Sequence, residues 1–569
     1  MVSYGDIRRW ESDVLDSVVT DLNKRCDELL RLGDDLGASG VPAGWTGEAA
    51  DAARAKRDGF TDRMERLVAG VAAVRRATGE AADAVAALTH AVREADELAG
   101  RHQFTIGDDG TVTDNKPAAA HDPDKVDDYL RERERVRTEL TDRVEQALRR
   151  AEDIDNDLAA VLGKADKGEI GDGNATTLRA AVDAGAGQGG LSTLEPPKDG
   201  SPFDNAGWWD SLSDAERRQL IDQHPDWIGN LDGVPGEARD DANRARIDDE
   251  RARLEQRARE LRADLDDNLF GGLLTNADAE LDAVNAKLES LDRIEETLAR
   301  PGERQLLLLD LSSERAEAAV ANGNVDTADH VAVFTPGLTS TVNGSLGGYD
   351  HAMDNLQFRT EEELKRYGDG GSVATVTWIG YQAPQLSVHG VLFDENTVAD
   401  DHSAREGANK LAPFLNGIDA SRDTDPHLTA LGHSYGSTTT GLALQQNTGV
   451  DNAVFYGSPG LGTSDVQNIN VPGGSAYYIE GRNDPVGDLG YFGVDPSHLD
   501  GMNHASARET TLPDGRHLTE STGHSAYMVE NSTSQYNMAV VVGGMPDRVV
   551  HDDGKGFGDV LSWPIPGTR

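Results

Sequence analysis

The stretch His427-Leu-Thr-Ala-Leu-Gly-His-Ser-Tyr-Gly-Ser-Thr-Thr-Thr-Gly-Leu-Ala-Leu444 decides the reading of this chain. An apolar, strand-like run enters the pattern Gly432-x-Ser434-x-Gly436, and a helix-compatible run of small residues leaves it. In a chain with 62 glycines the bare pattern is weak. Its context carries the weight. A strand, a sharp turn and a helix together present a serine hydroxyl above the end of a parallel sheet, and the flanking glycines relieve crowding against neighbouring elements. Ser434 is therefore the candidate nucleophile.

A serine hydroxyl is a poor nucleophile until a base, itself oriented by an acid, takes its proton. For a serine on such a turn the chain order is Ser, then Asp or Glu, then His. The strand-like run Ala476–Ile479 leads into Glu-Gly-Arg-Asn-Asp484-Pro, which makes Asp484 the candidate acid, with Glu480 and Asp488 as alternatives. His498, His504, His517 and His524 follow. His524, in Ser-Thr-Gly-His-Ser-Ala-Tyr527 just ahead of the segment Tyr527–Val542, is the candidate base, with His517 as the alternative. His498 and His504 fall in an insertion, 485–523. It also carries Phe492, Leu499 and Met502, and reads either as a surface loop or as a lid over a lipid-like substrate. The developing oxyanion needs two donors. The candidates are the backbone N–H of Tyr435, next after the nucleophile, and that of Leu338 in the loop Thr-Pro-Gly-Leu-Thr-Ser340.

Working outward, strand-like runs at Gln305–Leu309, His330–Thr335, Val373–Trp378, Leu428–Gly432, Ala453–Tyr456 and Ala476–Ile479 interleave with helical patterns at 359–367, 401–417, 435–447 and 525–541. Non-alternating apolar strands separated by helices imply a doubly wound, mainly parallel sheet over 301–545. Upstream, Ile7, Trp10, Val14, Val18, Leu22, Cys26 and Leu29 recur on one helix face. Phe60, Met64, Leu67, Val71, Val74, Ala81, Val85, Leu88, Val92 and Ala95 follow a heptad grid. Two such helices are expected to pair antiparallel as a coiled-coil-like hairpin. A β-hairpin with Asp109-Gly110 at its turn and a third helix from Val126 to Leu158 complete an all-α region over 1–163. Residues 164–204, rich in Gly, Pro and Asp, read as a linker. Residues 205–300 read as helices packing on the following domain, opened by the capping-box pattern Ser213-Asp-Ala-Glu216, and 546–569 as a tail.

Several of these motifs are familiar as a set. The run from Trp208-Trp209 through HPDWIGNLDGVP (224–235) to Asn243-Arg244 resembles a stretch that precedes an actinobacterial α/β-hydrolase family of unassigned substrate. So do DTADHVAVFTPGLTST (326–341), WIGYQAP (378–384), SAREGANKLAPFLNGI (403–418), GHSYGS (432–437), YGSPGLG (456–462), NDP (483–485) and GHSAY (523–527). The resemblance spans about residues 208–545 and implies Ser434, Asp484 and His524 in the roles already assigned. It implies no substrate. A second resemblance rests on helix, Trp45-Thr-Gly47, helix, which looks like the WXG-type hairpins exported by the type VII (ESX) system. It implies a small helical WXG-type partner protein. These helices are longer than the family hairpin, and no Tyr-x-x-x-Asp/Glu motif follows the second one: Tyr129 is followed four residues later by Arg133.

Composition narrows the function classes. The 569 residues carry a net charge of −47, from 66 Asp and 35 Glu against 43 Arg and 11 Lys. So large an acidic excess excludes non-specific binding to nucleic acid, which needs surplus cations to neutralise phosphate. It equally excludes adhesion to anionic lipid through a basic face. One cysteine, Cys26, builds neither a disulfide framework nor a Cys-rich metal site. Asp153, Asp155 and Asp157 lack the glycine of a calcium loop. His498 and His504 lack zinc-ligand spacing, and TVNGSLGG (341–348) lacks the Lys-Ser/Thr of a phosphate loop. No cofactor or metal is expected. The longest apolar run, Leu306–Leu309, is too short to span a bilayer, and the N-terminus has no apolar core of a secretory signal. The expectation is a soluble protein, either cytoplasmic or exported without a cleavable signal, acting on a small-molecule or lipid-like ester.

Overall fold

The structure is a computed structural model that describes residues 2–40, 42–116, 126–267, 277–385, 401–422, 424–486 and 491–552. The alternative acid Asp488 and most of the expected tail, 553–569, lie outside the described residues. The chain divides into two compact units, Met1–Ala120 with Arg133–Leu220, and His121–Glu132 with Ile221–Arg569.

The first unit is built on helices α1 (Tyr4–Ile7), α2 (Ser12–Ala38), α3 (Glu48–Arg101), α4 (Val126–Asp166), α5 (Leu178–Ala186), α6 (Pro202–Asp210) and α7 (Asp214–Gln223). Strands β1 (Phe104–Ile106) and β2 (Val112–Asp114) pair antiparallel, with Gly110 at φ +84° in their turn. α2 and α3 run antiparallel, Arg75 reaching Asn23 and Gly79 facing Val19. Much of the expected α3 seam is buried, including Met64, Ala81, Val85, Leu88, Val92 and Ala95, while other expected positions face solvent. The first turn of the chain is a separate helix, because Ser3 and Asp6 cap it reciprocally and the Gly5 N–H bonds the Asp108 carbonyl. α2 restarts at Ser12, leaving Val14 58% and Val18 43% exposed.

On α3, the expected positions Phe60 and Leu67 are likewise exposed, and between Met64 and Ala81 the buried face includes Val68, Ala69, Ala72, Ala73 and Ala77 instead. The cause is a backbone-close contact. A Cβ added at Gly185 or Gly189 would lie 2.1 Å from the carbonyl oxygen of Ala69 or Ala73. Only an alanine face opposite glycine permits that approach. The stretch 164–204 is therefore not a plain linker, since it holds α5, packed on α3. Trp45 does not cap the helix seam; it is 45% exposed in the loop, while Gly47 takes the positive φ that starts α3. Residues 205–220 belong to this first unit, with Trp208 buried and its indole N–H on the Leu194 carbonyl.

The second unit is an eight-stranded sheet of β3 (Arg304–Asp310), β4 (Glu317–Asn322), β5 (His330–Thr335), β6 (Val373–Ile379), β7 (His427–His433), β8 (Asn452–Tyr456), β9 (Ala476–Ile479) and β10 (Asn503–Ala505). Its order is β10-β9-β8-β7-β5-β6-β4-β3. All pairs from β10 to β6 are parallel, and β6/β4 and β4/β3 are antiparallel. This is the expected doubly wound, mainly parallel sheet. One apolar layer joins it to helices α12 (His402–Ala420) and α13 (Tyr435–Leu444). The other layer joins it to α11 (Val342–Tyr367) and α14 (Thr533–Val542).

Helices α8 (Pro225–Ile228), α9 (Gly236–Asp267) and α10 (Ala277–Leu298) cover the β3 end. There side chains stand in for a ninth strand. Asn230 both donates to and accepts from the Leu309 backbone, Asp240 accepts from the Leu306 N–H, and Asn243 donates to the Leu306 carbonyl. A sheet edge so satisfied does not template pairing with another chain.

Three elements depart from the sequence reading. β4 was not foreseen, because Glu-Arg-Ala-Glu-Ala-Ala-Val-Ala has helix-forming composition and becomes a strand only by pairing on both sides. α11 begins in the Gly-rich stretch, where the Thr341 hydroxyl accepts from the Gly344 N–H. α14 starts at Thr533 rather than 525, capped by Ser532. Within the insertion, Phe492, Leu499 and Met502 are buried in the core and β10 extends the sheet. No helix among the described residues is long and apolar enough to cross a membrane.

Candidate active site

β7 delivers Ser434 to the C-terminal edge of the sheet, and α13 begins one residue later. Between them Ser434 takes φ +55° and ψ −133°, a region that L-residues other than glycine rarely occupy. Such strain persists only where the surroundings impose it. Here the Ser434 N–H is held by the Tyr456 carbonyl at 3.1 Å, and its carbonyl accepts the Ser437 N–H at 2.9 Å. The two flanking glycines are required. A Cβ at Gly432 would lie 2.7 Å from Ser437 Cα, and one at Gly436 would lie 2.3 Å from the Thr335 carbonyl oxygen.

Asp484 sits in the loop after β9 and His524 in the loop before α14. The three side chains form one hydrogen-bonded file. His524 Nε2 is 2.8 Å from Ser434 Oγ, and His524 Nδ1 lies 2.9 and 3.0 Å from the two Asp484 oxygens. Ser434 and Asp484 are 4% and 3% exposed. Burial works to raise the Asp484 pKa, but hydrogen bonds from His524, Tyr527 and the Val486 N–H outweigh it and hold the carboxyl below its usual range. Among the alternatives, His517 lies on a small hairpin facing Glu509. His498 faces Asp495, and His504 is on β10.

The loop after β5 runs beside the elbow. A Cβ at Gly337 would meet Ser434 Cβ at 2.6 Å and the Tyr435 nitrogen at 2.9 Å. Leu338 follows directly and is partly buried against the core. The loop is pinned on both sides of Leu338. Tyr381 Oη donates to the Pro336 carbonyl at 2.7 Å, and the Thr339 N–H donates to the Pro384 carbonyl at 2.9 Å. Tyr381 is itself stacked on Trp378, with centroids 5.9 Å apart. Among the described residues no group of three His, Cys, Asp or Glu is placed to hold a metal ion.

An α/β-hydrolase family model matches residues 312–494, a span that contains Ser434 and Asp484 and ends before His524. An uncharacterized protein of Mycobacterium bovis is 36% identical over 236 residues, covering 40% of this chain and 86% of its own length. The chain belongs to this α/β-hydrolase family. A longer uncharacterized protein of Mycobacterium tuberculosis is 32% identical over 313 residues, 52% of this chain and 45% of that one. Among solved structures, the hydrolase-family chain is similar to a cold-adapted esterase from an Arctic intertidal metagenomic library, at 13% identity and a TM-score of 0.28, covering 44% of this chain and 96% of that one. It is also similar to an esterase of Pyrobaculum calidifontis, at 14% identity and the same TM-score, covering 47% of this chain and 93% of that one.

Four residues around the file escaped the sequence reading of this hydrolase-family chain. His433 Nε2 lies 2.8 Å from the His524 carbonyl, and its ring stacks on Tyr456. Tyr527 Oη donates to Asp484 Oδ2 at 2.5 Å. Gly457, at φ +54°, leaves the space that a Cβ would take 2.8 Å from Asp484 Oδ2 and 3.1 Å from His524 Nδ1. Tyr381 anchors the Leu338 loop. All four stand inside motifs already quoted: GHSYGS, GHSAY, YGSPGLG and WIGYQAP. The signal lay in those motifs' other members.

Proposed function

We propose that this chain is a serine hydrolase that cleaves a carboxylic-ester-like bond in a small-molecule or lipid-like substrate. The observation that carries the reading is the hydrogen-bonded file Asp484–His524–Ser434 ending on a strained, glycine-flanked turn. In this reading His524 Nε2 accepts the Ser434 Oγ proton as Oγ bonds to the substrate carbonyl carbon. Asp484 holds the imidazole through Nδ1–H and stabilises the imidazolium that forms. The Tyr435 and Leu338 N–H groups receive the negative charge that develops on the carbonyl oxygen. His524 then returns the proton to the departing alkoxide, leaving an acyl ester on Ser434. Water, deprotonated by the same imidazole, attacks that ester, and His524 then gives the proton to the departing Ser434 Oγ as the acid is released. Strongly anionic substrates meet an unfavourable field on a chain of net charge −47.

A second reading makes the first unit a docking module for a small helical WXG-type partner, with export by a type VII-like route and a degenerate or secondary hydrolase unit. It is supported by the exposed apolar side chains of Val14, Val18 and Leu32 on α2 and of Phe60 and Leu67 on α3. One experiment separates the readings. A fluorophosphonate probe is expected to label the folded wild-type chain and to leave Ser434→Ala unlabelled. An unlabelled, folded wild type rejects the hydrolase reading. Following the labelled band in cells and medium of the native host decides between retention and export.

A further inference from the structure

The acid of the file has a partner that the serine-hydrolase mechanism does not require. Tyr527 Oη sits between two points of the acid loop: it accepts the Gly481 N–H at 2.8 Å and donates to Asp484 Oδ2 at 2.5 Å. Because the Gly481 N–H occupies a lone pair of the phenol oxygen, the single hydroxyl proton is directed at the carboxylate. The opposite oxygen, Oδ1, accepts the Val486 N–H at 2.9 Å. Asp484 is thus gripped on both oxygens before His524 is counted.

Tyr527 belongs to the same loop as the base, three residues on. One phenol therefore ties residues 481 and 484 to the loop that carries His524. The Gly523 N–H adds a second tie, to the Arg482 carbonyl at 2.8 Å. The ring is 1% exposed and packs beside Tyr456 and His433, with centroids 5.3 and 5.9 Å away. Burial, with the adjacent Asp484 charge, pushes the phenol above its ordinary pKa, so it stays a donor throughout the working range.

We infer that Tyr527 is a positioning residue that, by donating to Asp484, sets the pH at which His524 becomes an effective base. The inference rests on the serine-hydrolase reading of the site. A hydroxyl donor on Oδ2 draws charge from the carboxylate and so weakens its hold on an imidazolium. With the donor removed, the carboxylate stabilises protonated His524 more strongly, and the neutral base appears only at higher pH. Among the described residues the other ionisable groups facing the file include His433 and Tyr456, Tyr478 on β9 and, through Tyr527 and Tyr478, Glu480. Burial lowers the His433 pKa to about 4 and raises that of Tyr456 well above its ordinary value, so neither changes charge near neutral pH.

The test compares wild type and Tyr527→Phe by the pH dependence of the rate at which a fluorophosphonate labels Ser434, and by the NMR titration of the His524 ring in the same proteins. The expected result is an acid limb, and a ring titration, displaced to higher pH by about one unit, with a lower plateau rate. Site-specific 3,5-difluorotyrosine at 527, a stronger donor of nearly the same shape, is expected to displace both to lower pH. A purely structural tyrosine lowers the plateau and moves neither midpoint. Unmoved midpoints in folded variants overturn the inference. Absence of labelling in wild type rejects the serine-hydrolase reading instead, and the ring titration still reports on Tyr527.

Discussion

At the scale of single residues, the candidate site is organised by groups outside the Ser434–His524–Asp484 file. His433 is the clearest. Burial, then the neighbouring His524, lower its pKa to about 4, although its bond to the His524 carbonyl and the Asp484 charge pull the other way. It therefore acts as a neutral N–H donor that ties the His524 loop to the strand presenting Ser434. A histidine whose folded pKa lies below its unfolded value near 6.5 contributes stability that is complete above pH 6.5 and fades as pH falls toward 4. His433→Gln keeps a donor without the titration. We expect it to lose less stability than wild type between pH 6.5 and 4, by on the order of 2 kcal/mol in urea unfolding. Parallel acid-unfolding curves remove His433 from the account. His433→Phe, which lacks the donor, is expected to slow fluorophosphonate labelling by roughly tenfold, as a misplaced base does.

At the scale of elements, the parallel strands and the later half of the α3 seam were legible, and the packing of its earlier half was not. His330–Thr335 and Ala476–Ile479 form with the expected bounds, because β-branched and aromatic runs between turn residues have few other uses. That Ser434, Asp484 and His524 lie in one hydrogen-bonded file was expected for a related reason: the chain order of candidate nucleophile, acid and base narrowed each search to one loop. β4 was hidden, since its alanine-rich composition favours a helix and only its neighbours make it a strand. The earlier part of the α3 face was hidden too. A hydrophobicity count ranks Phe60 and Leu67 above Ala69 and Ala73, whereas the packing is decided by how closely two backbones approach. That claim is testable. Gly185→Ala places a methyl group 2.1 Å from the Ala69 carbonyl, where backbone must shift. Overpacking of this kind costs about 1–3 kcal/mol. Unfolding of the first unit is expected at lower denaturant with Gly185→Ala, while the exposed Gly59→Ala, which meets no atom within 4 Å on α3, is expected to be neutral or stabilising. Equal effects at the two positions contradict the close-contact account.

At the scale of the whole molecule, the charge of −47 sets two effects of salt against each other. Salt screens the repulsion among 101 acidic residues, which favours the folded chain. It also weakens the many surface pairs of arginine with Asp and Glu, such as Arg257 with Glu280 and Arg293 with Glu296. The size of each term decides the sign. An exposed pair contributes about 0–1 kcal/mol, and much of that is already offset by side-chain entropy. Repulsion is summed over every pair of like charges within a Debye length, ~10 Å at 0.1 M and ~3 Å at 1 M. The acidic excess lies in both halves of the sequence. The thermal midpoint is therefore expected to rise between 0.05 and about 1 M NaCl, most steeply at the low end where screening changes fastest. Chloride and sulfate at matched ionic strength separate screening from surface exclusion, since sulfate strengthens apolar burial as well. A midpoint that falls with NaCl shows that the arginine–carboxylate pairs outweigh the repulsion, and that the acidic composition is a source of cohesion in this chain.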